Sequence, residues 1–126
     1  MERIYKKIGT EIGYIGAKRN AIYLDSFEQT HNTLILKGEI SSSCCDECYR
    51  EYRWYKYQLT IKGVKEYKSI NIEDYYLKNL KTQSAFSELL DKSCSEDDLR
   101  TIIIETYDWA YIIVCRDFVF EIIDRR

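Results

Sequence analysis

Proline is absent from the sequence, histidine occurs once, at position 31, and glycine only five times. No Pro-, Gly- or Ser-rich stretch marks a linker, and 126 residues is the size of one domain, so a single core is expected. Long apolar runs are missing as well. The longest, Thr101 to Ile104 and Ala110 to Cys115, are far short of the roughly 20 residues of a membrane-spanning helix. The opening MERIYKKIGTEIGY lacks the apolar stretch of a signal peptide. Charge of one sign is also scarce. The net charge is −2, with +2 over residues 1–63 (10 basic, 8 acidic) and −4 over 64–126 (9 basic, 13 acidic), too little polarity to imply a polyanion or a membrane surface. A cytoplasmic location is the expectation, and the five cysteines are then reduced thiols with no disulfide framework.

What is present is apolar and aromatic. Hydrophobic residues make up 45% of the chain, far from a disordered composition, and 12 of the 18 aromatics are tyrosine. A tyrosine ring packs like an apolar group while its hydroxyl needs water or a partner, which suits half-buried sheets and binding surfaces. Tyr, Ile, Lys and Glu are plentiful while Pro is missing, a bias that an AT-rich genome produces by itself, so part of the Tyr excess carries no functional weight.

Alternation of apolar and polar residues governs most of the chain. Ile4 to Ile15, punctuated by Gly9 and Gly13, reads as a kinked first strand. Asn20 to Phe27 puts Ala21, Tyr23, Asp25 and Phe27 on one face and Ile22, Leu24 and Ser26 on the other. After the polar break Gln29 to Asn32, Thr33 to Ile40 completes a hairpin. Glu51 to Lys62 alternates with Tyr55, Tyr57, Leu59 and Ile61 facing one way, and Gly63 turns the chain into a shorter strand, Tyr67 to Ile72, with Ile70 and Ile72 inward. Between Glu73 and Asp98 the period lengthens: Ile72, Tyr76 and Leu80 are four apart, and Phe86, Leu89 and Leu90 follow Ser84 as an N-cap. One or two short helices are expected there, together with a single turn opened by Glu96-Asp97-Asp98. The last stretch is dense in β-branched and aromatic residues, and Tyr107-Asp108 and Arg116-Asp117 divide it into three strands, the middle one apolar on both faces and therefore central. The expected fold is mostly β: an antiparallel sandwich or open barrel of seven to eight strands with one or two short helices between residues 73 and 98. Its rival is an α+β sheet with those helices across one face.

The sharpest chemical feature is Cys44-Cys45-Asp46-Glu47-Cys48. Cys45 and Cys48 have the spacing of half a zinc site or of a redox pair. A tetrahedral site would need two more ligands from Cys44, Cys94 and His31, and no second pair with ligand spacing exists; free thiols in a polar loop are the plainer reading. A redox role also meets the acidic Asp46 and Glu47, which raise thiol pKa values. His31 lies among turn formers and reads as a solvated hairpin histidine. The pairs Glu73-Asp74 and Glu96-Asp97 are adjacent in the chain, which gives no opposed acid/base geometry. Gly9, Gly13 and Gly16 lack the Gly-Lys-Ser/Thr of a phosphate loop. No catalytic residue and no cofactor is therefore expected, zinc being the one alternative.

The segment Tyr49 to Tyr57 interleaves aromatics with cations. Tyr49, Tyr52, Arg53, Trp54 and Lys56 are the candidate binding residues, because Tyr, Trp and Arg are the side chains that most often supply interface energy. The same pattern fits a single-stranded nucleic-acid platform, but the local charge is only +2; a solvated face of an amphipathic strand is the plainer reading of the segment. The closing TYDWAYIIVCRDFVFEII, Thr106 to Ile123, resembles the C-terminal strand pairs of small uncharacterised bacterial proteins of the immunity-protein type. That resemblance implies a protein that neutralises a partner toxin by contact, and it carries no functional residue across. A non-catalytic binding protein, in its most concrete form an immunity or inhibitor protein, is the resulting expectation; a zinc- or thiol-dependent domain is its rival.

Overall fold

In the computed structural model, which describes residues 5–11, 13–16, 21–41, 54–78, 84–90 and 99–124, nine strands form two antiparallel sheets. The strands are β1 (Tyr5–Lys7), β2 (Ile22–Thr30), β3 (Thr33–Ser41), β4 (Trp54–Lys62), β5 (Glu66–Asn71), β6 (Phe86–Leu89), β7 (Arg100–Glu105), β8 (Trp109–Cys115) and β9 (Asp117–Asp124). One helix, α1 (Ile72–Lys78), follows β5. The five-stranded sheet runs β1-β6-β7-β8-β5 and the four-stranded sheet β2-β3-β4-β9. Their inner faces share one core, so the fold is the sandwich form of the mostly β expectation.

The period-2 pattern sets which side chains meet. Tyr55, Tyr57, Leu59 and Ile61 of β4 are all buried, opposite Ile40, Gly38, Leu36 and Leu34 of β3. On the other side they face half-buried Phe118, Phe120 and Ile122 of β9. The second sheet contributes Phe86, Ile102, Ile104, Ile113 and Cys115 to the same cluster. Phe120 joins the layers, stacked on Tyr57 at 5.5 Å and tilted against Phe86 at 5.4 Å between ring centroids. At the rim, the Arg100 guanidinium donates two hydrogen bonds to the Glu88 carboxylate, at 2.8 and 3.0 Å. It also covers the Phe118 ring at 4.6 Å and so spans from β7 to β9. As its apolar residues on both faces predict, β8 lies inside its sheet, between β7 and β5.

Three local readings change. The alternation of β2 is broken by a bulge between Leu24 and Ser26, which leaves Asp25 unpaired. The extra residue puts Phe27 on the inner face with Ile22 and Leu24, not with Tyr23. Gly38, opposite Leu24, makes the bulge possible. A β-carbon there would sit 1.8 Å from the Tyr23 carbonyl oxygen, which instead accepts a 3.1 Å hydrogen bond from the buried Tyr57 hydroxyl.

The second change is at residues 86–89, expected as a helix and found as a strand, β6, between β1 and β7, which brings the strands to nine where seven or eight were expected. Phe86 points into the sandwich and Leu89 to the opposite face, so their three-residue spacing never acts as a helical stripe. Ser84 caps no helix: its hydroxyl accepts the Phe86 amide at 3.1 Å and donates to the Phe86 carbonyl at 2.8 Å. The third concerns Ile72, expected as the inward end of β5, which is the first residue of α1. Asn71 is the N-cap, its Oδ1 accepting the Glu73 amide at 3.0 Å, and Glu73 and Asp74 occupy the first turn. Ile72 and Tyr75 bury themselves on the outer face of the five-stranded sheet against Ile103 and Ala110. The turn opened by Glu96-Asp97-Asp98 lies outside the described residues.

Candidate functional site

Of the candidate binding residues, Trp54 and Lys56 fall within the described residues; Tyr49, Tyr52 and Arg53 lie outside them. Trp54 and Lys56 open β4 and, two residues apart, share the outer face of the four-stranded sheet, away from Tyr55 and Tyr57. Lys56 is exposed and stands opposite Glu39. Trp54 is half-buried, with its ring edge-on to Tyr23 at 5.2 Å and 64°. Tyr23 in turn stacks on Tyr107, again at 5.2 Å, with the ring planes 16° apart.

Tyr107 arrives from the other sheet. It sits in the turn between β7 and β8, where Thr106 and Trp109 clamp the chain: the Thr106 amide and hydroxyl both donate to the Trp109 carbonyl, at 2.8 and 2.7 Å. From that turn the Tyr107 amide donates to the Ile22 carbonyl at 2.9 Å, tying the turn to the edge of β2. The three packed rings therefore span both sheets at one end of the sandwich. Tyr107 and Trp109 are 40% and 43% exposed there, and Asp108 between them is exposed too. In the sequence Tyr107-Asp108 reads as a polar break, and Tyr23 as one face of a strand. The available signal was two large aromatics inside a four-residue turn, a place where small polar residues usually suffice.

Beneath this end lie tyrosines that do not ionise readily. Burial, with smaller contributions from Asp25 and Tyr111, holds the Tyr57 hydroxyl far above the ordinary phenol range. Tyr111, stacked on Phe27 at 5.5 Å, is pushed the same way by burial and by Asp108. These groups act as neutral donors and ring surfaces, not as acids near neutral pH.

Of the metal candidates, His31 alone falls within the described residues. Cys44, Cys45, Cys48 and Cys94 lie outside the described residues. His31 is exposed at the tip of the β2–β3 hairpin with φ 51°, a solvated turn histidine as the sequence predicts. It stands at the opposite end of β3 from Ser41, roughly 25 Å along the strand. Among the described residues no group of three His, Cys, Asp or Glu is placed to hold a metal ion. Cys115 is buried in the core, where desolvation pushes its thiol up to about 11, the reverse of what a nucleophilic or ligating thiolate requires. Among the described residues no helix is long and apolar enough to cross a membrane. Comparisons with protein families, with curated proteins and with solved structures find no match to this chain.

Proposed function

We propose that this chain is a non-catalytic binding protein that acts by protein–protein contact, and that its contact surface is the aromatic end of the sandwich. The observation that carries this reading is the Tyr23–Trp54–Tyr107 ring cluster, in which Tyr107 is exposed, as is neighbouring Trp109. Rings held by one another and by a hydrogen-bonded turn lose little side-chain freedom on association, and large amphipathic rings dominate interface energies. Lys56, on the Trp54 face, extends the surface toward a polar rim; Tyr49, Tyr52 and Arg53 precede Trp54 in the chain and belong to the same proposal. The concrete form is a bacterial immunity or inhibitor protein of the cytoplasm, which blocks its partner by occupying it.

The test is affinity capture from the source cell's lysate with the intact chain, beside Tyr107→Ala and Trp109→Ala variants and a Trp54→Ala variant checked for unchanged folding. One stoichiometric protein partner is expected on the unaltered chain. Binding should weaken by more than about tenfold in at least one variant, as for a residue at the centre of an interface. Absence of a specific partner, or undiminished capture by all three variants, overturns the proposal. Zinc measured in the same purified sample, with a function lost in Cys45→Ser and Cys48→Ser, would replace it by the metal- or thiol-dependent reading.

A further inference from the structure

Strand β5 ends the five-stranded sheet, and among the described residues no strand pairs with its outer edge. Residues 66–69 and Asn71 are exposed. The hydrogen bond from the Ile72 amide to the Asp108 carbonyl is in step with the pairing of Glu66 to Val114 through Asn71 to Trp109, and it fixes the alternation along the strand. Glu66, Lys68 and Ile70 exchange their backbone bonds with β8. Tyr67, Ser69 and Asn71 turn their N–H and C=O groups toward the open side, the template on which another strand pairs.

A lysine in the middle of an edge normally guards it. When a copy of the strand approaches antiparallel with Tyr67 opposite Ser69, Lys68 faces Lys68, and like charges directly opposite repel. Here Glu66 lies two residues away on the same face. Sliding the copy so that Tyr67 faces Tyr67 replaces that repulsion by two attractions, Glu66 opposite Lys68 and Lys68 opposite Glu66. Both fall at non-hydrogen-bonded positions, where side chains across a ladder come closest. The central Tyr67 residues exchange their free N–H and C=O groups. Placing Ser69 opposite Ser69 instead sets Lys68 against Ile70 and gains no ion pair.

We propose that β5 pairs with β5 of a second copy of this chain in the Tyr67-on-Tyr67 register, joining two five-stranded sheets into one continuous sheet. Beside the strand a shallow hollow of about 180 Å³, floored by Ile112 and Val114 and flanked by Glu66 and Lys68, leaves the paired side chains room to lie over apolar surface. The proposal is independent of the aromatic end and of any partner bound there.

Sedimentation velocity over a wide range of concentration tests it. The unaltered chain should show a reversible monomer–dimer equilibrium that weakens as salt is raised. Lys68→Glu and Glu66→Lys each turn both attractions into repulsions and should weaken dimerisation at least about tenfold. The double variant Glu66→Lys/Lys68→Glu restores both pairs with reversed sense and should recover the dimer. Both side chains are exposed, so the variants test pairing and not folding. A chain that stays monomeric at every concentration, a dimer indifferent to the single variants, or a double variant no better than the singles would each overturn the proposal.

Discussion

Replacing Gly38 by alanine adds one methyl group where the backbone of β2 already stands. Its carbon would lie 1.8 Å from the Tyr23 carbonyl oxygen, 2.8 Å from the carbonyl carbon and 3.0 Å from the Leu24 α-carbon. All three are backbone atoms, so no side-chain rotation relieves the clash, and β2 must move away from β3 at the bulge. Overpacking of this kind costs typically 1–3 kcal/mol. Because the moving oxygen is the one that accepts the Tyr57 hydroxyl, a hydrogen bond worth about 1 kcal/mol is strained as well. A loss of about 3 kcal/mol is expected, a large part of the roughly 5–15 kcal/mol that holds a domain together. Urea denaturation followed by circular dichroism would read it. Two other glycines bracket the result. At Gly9 an added β-carbon meets only Tyr14 Cε1 at 3.7 Å, so Gly9→Ala should change stability by less than about 0.5 kcal/mol. Gly63 has φ +65° and crowds the flexible Arg116 side chain, so Gly63→Ala should cost about 1–2 kcal/mol, chiefly from the left-handed backbone. If Gly38→Ala melts within 1 kcal/mol of the unaltered protein, as Gly9→Ala should, close approach at the bulge is not what fits β2 to β3.

Tyr57→Phe keeps the ring stack on Phe120 but withdraws the donor from the Tyr23 carbonyl, and should cost about 1–2 kcal/mol in the same denaturation assay. Phe120→Ala removes the ring that bridges Tyr57 and Phe86; since Phe120 is only half-buried, the loss should fall near 3 kcal/mol, the low end of the range for phenylalanine truncation. Cys115 should resist thiol reagents in the native protein and react on unfolding. Its folded pKa lies above the ordinary value of 9.0, so the native state keeps a proton that the unfolded chain releases. Its contribution is whole below pH 9 and is lost as pH rises toward about 11. Tyr57 and Tyr111 act in the same direction from pH 10 upward, so Cys115→Ala should flatten the stability profile selectively between pH 9 and 10.

The strands that alternate without interruption were legible because one face of each meets the core and the other meets water. Tyr55 to Ile61 and Phe118 to Ile122 point as their spacing dictates. Sequence reading failed where one residue changes the phase. Nothing local to Tyr23-Leu24-Asp25 announces a bulge. The information sits in Gly38 and Tyr57, on strands that reach β2 only after folding. At Phe86 to Leu90 three apolar residues around Ser87 and Glu88 are too few to separate a helical period from a strand, and pairing with β7 decided the matter. The candidate site divides in the same way. That Trp54 and Lys56 share a face follows from period 2 alone, whereas the packing of Tyr23 between Trp54 and Tyr107 depends on how the two sheets meet.

The order of strands in the four-stranded sheet has a consequence for how the chain is made. β4 lies between β3 and β9, and β9 is synthesised after every other strand. Until those residues emerge, the β2-β3-β4 meander has a second open edge along Tyr57, Leu59 and Ile61, without the rings of Phe118 and Phe120 beside it. The five-stranded sheet can already gather around β7 and β8, because its strands precede β9. The nascent protein thus carries an adhesive half-sheet from the emergence of β4 until that of β9, and this is the interval in which a chaperone, or a second nascent chain, competes with β9 for β4.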